Sequence, residues 1–178
     1  MGAPTGRPEP GEYAPYAGDD FAWVPEDDAL AALEGALQGT LERLRPLSDA
    51  RVAGVRYADG KWTIKEIVGH LADDERIFLY RALCVARGEP RPLPGFDENA
   101  YMAAAQFEQR DLHDLLDEVE ATRRASIAFF AGLPVDAWLR AGDVNGYRAT
   151  VRGLAFHIAA HERHHHRVLD ARYLPLLG

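Results

Sequence analysis

Apolar residues recur along this chain at helical spacing. Leu30, Leu33, Leu37, Leu41 and Leu44 fall three and four residues apart and mark one face of a helix over about residues 27–48. Ile64, Ile67, Val68, Leu71, Phe78 and Ala82 mark a second over about 63–87. Leu112, Leu115, Leu116, Val119, Ile127 and Phe130 mark a third over about 111–131. Val151, Ala155, Ile158 and Leu169 mark the last, over about 150–172. The punctuation agrees. Proline is absent between Pro46 and Pro90, between Pro94 and Pro134, and between Pro134 and Pro175, and proline breaks helix interiors. Asp27 or Asp28 can cap the first helix. Thr63-Ile-Lys-Glu66 is a capping box for the second, and Gly88 and Gly132 follow the second and third. A short segment over 51–59, a short helix over about 98–107 and a connection over about 135–148 join them, with few strand signals. The prediction is an all-α fold, a four-helix bundle with long connections.

Composition narrows the function. The chain has 178 residues, which suits one domain, assigned to residues 23–178. Residues 1–22 read as a flexible N-terminal arm, because residues 1–20 carry four glycines and four prolines. Tyr13, Tyr16 and Phe21 could pin that arm to a partner surface. There are 20 basic and 28 acidic residues, so the net charge is −8. An acidic chain is a poor match for nucleic acid, whose backbone needs clustered positive charge. No apolar run reaches membrane-spanning length, and the N-terminus lacks the apolar core of a secretory signal. A cytoplasmic location is expected. The lone Cys84 excludes an intrachain disulfide and a cysteine-based zinc site. It falls about 140° from the apolar centre of its helix, facing away from the core as an incidental thiol.

Histidine carries the chemical signal. Five of the seven histidines lie in Phe156-His-Ile-Ala-Ala-His-Glu-Arg-His-His-His166. On a helix His165 falls about 40° and His161 about 80° from the apolar centre, on the same side. Four residues apart, their rings stack one turn apart on one face, the spacing that offers two imidazoles to one metal ion. His157 and His164 point to the flank, and His166 leaves on the opposite side toward solvent. A third ligand must come from another helix. His70, about 100° from the apolar centre of the second helix, is the best candidate. Asp74 is the runner-up, or a carboxylate that orients an imidazole. Asp74 or His157 as a fourth ligand would close the site. His113 reads as surface. Glu75 and Glu162 fall within about 40° of their helices' apolar centres, so both need partners, from a metal or from another helix. Trp62 and Trp138 are expected to pack against the bundle ends and Trp23 at the junction with the arm. Arg76, Arg81 and Arg123 could reach an anionic substrate or a thiol cofactor, but helix-surface salt bridges are expected.

Three motifs carry a resemblance. Lys61-Trp-Thr-Ile-Lys-Glu-Ile-Val-Gly-His-Leu-Ala-Asp-Asp-Glu75, Phe96-Asp-Glu-Asn-Ala-Tyr101, and a final segment joining Asn145-Gly-Tyr, Val151-Arg-Gly-Leu-Ala and Ala160-His-Glu-Arg-His-His165 together resemble the DinB/YfiT-like superfamily. The likeness runs from about residue 25 to about 175. His166 departs from it, standing where an apolar or small residue is expected. The resemblance implies a divalent metal, zinc or nickel, on His70, His161 and His165. It also implies a homodimer. Relatives of this kind include low-molecular-weight thiol transferases, a thiol-dependent isomerase and proteins labelled hydrolases. The function it implies is a metal-dependent transferase that joins a low-molecular-weight thiol to an electrophilic small-molecule substrate. A metal-dependent hydrolase is the alternative, or a non-catalytic, stress-related binding module with a structural metal.

Overall fold

The chain folds into the four long helices of a bundle, each free of proline. The computed structural model describes residues 6–178. In chain order the helices are α1 (Gly18–Phe21), α2 (Ala29–Leu44), α3 (Asp49–Val52), α4 (Ile64–Ala86), α5 (Glu98–Ala105), α6 (Leu112–Ala131) and α7 (Val151–Val168). Each long helix starts at a side-chain cap: Asp28 accepts from the Ala31 amide, Asp111 from His113 and Thr150 from Gly153. Thr63 and Glu66 form the full capping box of α4. No helix among the described residues is long and apolar enough to cross a membrane.

The packing order is α2–α6–α4–α7 around the bundle, since α2 and α4 each pack against both α6 and α7. The α2-to-α4 and α6-to-α7 connections therefore cross the bundle diagonally, which is why they must be long. The second crossing holds a feature the helical pattern missed. Strands β1 (Ala141–Val144) and β2 (Tyr147–Thr150) pair antiparallel, with Val144 opposite Tyr147. Asn145 and Gly146 turn the hairpin with φ of 56° and 80°, the left-handed pair that favours Asn-Gly. Leu93 donates to Asp143 and accepts from Asn145, so the loop after α4 is tied to the hairpin tip.

The core has two apolar clusters stacked along the bundle. One gathers Leu33, Phe78, Phe130, Trp138, Phe156 and Ile158. The other gathers Leu44, Ile67, Leu115, Val119, Leu169 and Tyr173. A layer of buried polar residues lies between them, one from each helix: Thr40, Glu75, Arg123 and Glu162.

The N-terminal segment is a correction. Residues 1–5 lie outside the described residues, but residues 6–22 are packed rather than loose. Phe21 is buried and stacks on Tyr13 at 4.0 Å and on Phe156 at 6.5 Å. Glu12 is buried and accepts from Thr150 Oγ1 at 2.8 Å and Arg152 Nε at 3.1 Å. Its carbonyl accepts from the Thr150 amide. Gly153 permits this approach, since a Cβ there would stand 2.0 Å from the Glu12 carbonyl oxygen. Burying a side chain such as Phe21 contributes about 1.5–3 kcal/mol. The glycines and prolines concealed an apolar set, Tyr13, Ala17, Phe21 and Val24, that belongs to the same core.

Candidate metal centre

Helices α4 and α7 lie side by side, and their inward polar residues meet. His161 and His165 project from adjacent turns of α7, and His70 reaches them from α4. His70 Nε2 stands 3.2 Å from His161 Nε2, and His165 Nε2 stands 3.1 Å from it. One ligand nitrogen from each ring lies within 4.8 Å of the others. Nitrogens on a tetrahedral zinc, with bonds of about 2.0–2.1 Å, are about 3.3 Å apart. The structure thus joins the i,i+4 pair to its expected third partner at close to ligand spacing.

Protonation separates the three rings. Asp74 Oδ2 lies 3.1 Å from His161 Nδ1, so that nitrogen donates and leaves Nε2 to coordinate. Burial resists a charge on His161, but the Asp74 carboxylate and its hydrogen bond outweigh burial and raise the imidazole above its ordinary value. Burial would also raise Asp74, yet the charge and hydrogen bond of His161, helped by His157 and His70, hold it at about 2. Burial and the charge of His161 push His70 down to about 4, and the same two causes hold His165 well below its ordinary range. Both are therefore neutral imidazoles with a free lone pair at neutral pH. The donor set is three imidazoles, one with a carboxylate behind it, and it fits a divalent ion that prefers nitrogen ligands. Asp74 points at the outward nitrogen of His161, away from the converging nitrogens. His157 lies outside the converging set.

The polar layer holds α4 and α7 in register. Arg123 donates to Glu75 at 2.8 and 2.9 Å and to Glu162 at 2.6 Å. It also donates to the Leu33 carbonyl. Glu75 follows Asp74, and Glu162 follows His161, so one guanidinium fixes the rotation of both helices beside the histidines. Burial alone would lower Arg123, but Glu162 and Glu75 reverse that and keep it charged. The partners the two glutamates required come from Arg123, not from a metal. Arg123 is 1% exposed and no surface salt bridge, because its helix turns that position inward.

His166 is a further correction. It is buried, not solvated, with Nε2 2.7 Å from Thr40 Oγ1. The Thr40 hydroxyl spends its proton on Glu162, at 2.5 Å. His166 is therefore the donor in that contact. The helical angle placed it opposite the metal pair correctly, but α2 packs over that side.

A cavity of about 360 Å³ opens beside the centre. His161 and His165 line it with Trp62, Asp74, Phe78 and Arg81. Trp62 does more than close a bundle end: its ring centroid is 4.8 Å from that of His70 and 6.4 Å from that of His165. His157 faces the cavity rather than solvent, stacked on Phe78 at 3.9 Å. Burial pushes it down to about 4. His164 sits on the flank with its Nδ1 3.0 Å from Asp20. His113 and Arg76 are surface groups, Arg76 paired with Glu118 at 2.7 Å. Trp138 is buried as expected, while Trp23 is exposed under Arg167. Cys84 is half-buried against the first apolar cluster instead of facing away from it, and it lies outside the cavity. Arg81 is buried and, among the described residues, carries no salt bridge. The histidine angles and the Asn145-Gly146 signal were readable from sequence; the roles of Arg123, Arg81 and Trp62 at the site were not.

Known proteins share this architecture. The sequence model of the DinB superfamily matches residues 32–169. No curated protein sequence matches the chain. YfiT from Bacillus subtilis, described as "a probable metal-dependent hydrolase with an unusual four-helix bundle topology", superposes with a TM-score of 0.69 at 20% identity, covering 94% of this chain and 91% of YfiT. The mycothiol-dependent maleylpyruvate isomerase superposes with a TM-score of 0.67 at 15% identity, covering 85% of this chain. This chain spans 63% of that enzyme's length.

Proposed function

Because this chain belongs to the DinB superfamily, we propose that it binds one divalent metal ion, zinc or nickel, through His70, His161 and His165. We propose further that it is a transferase joining a low-molecular-weight thiol to an electrophilic small molecule. The observation that carries the reading is the meeting of three Nε2 atoms beside an open cavity. Three protein ligands with one position left toward a cavity is the pattern of a catalytic site, whereas structural sites fill all four positions with protein.

A divalent ion bound in place of the His161 proton would supply Lewis acidity, which lowers the pKa of a bound thiol or water. The chain does the rest. Asp74 holds the Nδ1 proton of His161 and fixes the tautomer. Trp62 and Phe78 wall the cavity. His157, at about 4, is too weak a base to hold a proton at neutral pH, so it serves as wall rather than acid. In the transfer the thiol gives its proton to solvent, its sulfur bonds to the electrophilic carbon, and the leaving group departs with its electron pair. A hydrolase would use the same geometry with water in place of the thiol, and the description of YfiT supports that second reading.

Elemental analysis of untagged protein supplied with zinc or nickel tests the site. About one equivalent, lost in His70→Ala, His161→Ala and His165→Ala but kept in His164→Ala, is expected. A parent that stays metal-free overturns the reading. Consumption of a thiol by an electrophile, dependent on that metal, separates transfer from hydrolysis, in which the electrophile is consumed without the thiol.

A further inference from the structure

Arg81 is a buried cation without an anion. Its residue is 4% exposed, on α4 two turns beyond Asp74. One guanidinium nitrogen donates to the Pro94 carbonyl at 2.8 Å. Among the described residues no other hydrogen bond reaches the group, and no carboxylate lies within 4.0 Å of it. The contrast with Arg123 is direct, since that buried guanidinium has two carboxylates. The shortage is not compositional, because the chain has 28 acidic residues. A buried charge is expensive unless paired, and the free N–H groups of Arg81 open onto the cavity, where an anion would pair them. Burial pushes Arg81 below its ordinary value, and Asp74 only partly offsets this at longer range.

The surroundings aim the guanidinium. Its carbon stands 4.8 Å from the Phe78 ring centroid and 5.7 Å from that of Phe96, two apolar faces that hold its plane. The Leu93–Asn145 backbone contacts fix the loop carrying Pro94. Arg81 lines the 360 Å³ cavity together with His161 and His165, and Tyr16 and Asn145 line it too. A planar fork with free N–H donors, beside a hydroxyl and an amide, suits a carboxylate. Asp20, Asp74 and Glu98 also line the cavity, so a single guanidinium among three acids favours a singly charged group over a phosphate dianion.

We infer that Arg81 anchors a carboxylate of the small molecule that occupies this cavity, making the substrate class a carboxylic acid whose reacting carbon faces the three histidines. The inference rests on reading the same cavity as the reaction site, but its test needs neither metal nor turnover. Full-length protein freed of metal is titrated with butyrate and, separately, with neutral butyramide, following the NMR signals of the Arg81 side chain and Asn145. Saturable shifts with butyrate and none with butyramide are expected. In Arg81→Gln the affinity falls about tenfold or more, the worth of a charge-assisted hydrogen bond. Arg76→Gln, a neighbouring arginine already paired with Glu118, binds as the parent does. Thermal melting and metal content of each variant, measured alongside, show whether the fold and the histidine site survive. Failure of butyrate to bind the folded protein, or equal binding by Arg81→Gln, overturns the inference whatever the metal analysis shows. A parent that takes up no metal but binds butyrate would instead overturn the metal reading alone.

Discussion

Asp74 Oδ2 lies 3.1 Å from His161 Nδ1, and that contact decides which face of the imidazole is left for a ligand. The carboxylate takes the outward nitrogen. The inward nitrogen then looks at His70 and His165. A carboxylate behind a histidine both fixes the ring and raises its basicity.

Asp74→Asn keeps the shape and removes the charge. Metal affinity is expected to fall about tenfold to a hundredfold with the fold intact. Competition with a chelator of known affinity measures it. An unchanged affinity would leave Asp74 as packing only.

His157→Ala should keep full metal content and affinity, because His157 stacks on Phe78 and stands outside the converging nitrogens. Loss of the ion in this variant would make His157 a fourth ligand and turn the site toward a structural role.

Arg123→Met strands Glu75 and Glu162 in the core without a counter-charge. A loss of about 3–5 kcal/mol in urea unfolding is expected. Replacing all three members with apolar residues of similar volume should recover most of it, since the penalty belongs to the unpaired charges. A triple variant no more stable than the single one would contradict this.

Glu12 makes the packing of the N-terminal segment depend on pH. Burial would raise its carboxyl, but Arg152, the Glu9 amide and Thr150 together hold it below the ordinary 4.5. A carboxyl lowered in the folded state stabilises it fully above the unfolded value, and that stability is lost as pH falls through the folded value. Hydrogen exchange at the Thr150 amide should therefore speed up as pH drops below about 4.5 by more than intrinsic exchange accounts for. Glu12→Gln should show raised exchange already at neutral pH and little extra change in acid. A parent and variant with the same pH profile would refute the coupling.

The sequence by itself determined what lies within one element. The helical period placed the four helices, Thr63 and Glu66 announced the start of α4, and the four-residue spacing of His161 and His165 already put both rings on one face. These are local relations, set by backbone geometry within a few residues. Asn145-Gly146 carried an equally local hairpin signal, which the helical pattern around it obscured.

Only the tertiary structure decided the rest, because each remaining relation joins residues far apart in the chain. His70 meets His161 across 91 residues, and Arg123 reaches Glu75 across 48. A helical angle says how far a side chain stands from its own apolar centre, not which neighbour covers that side. For that reason His166 turned out buried under α2, Arg81 stood unpaired at a cavity, and a glycine- and proline-rich start lay packed against α7.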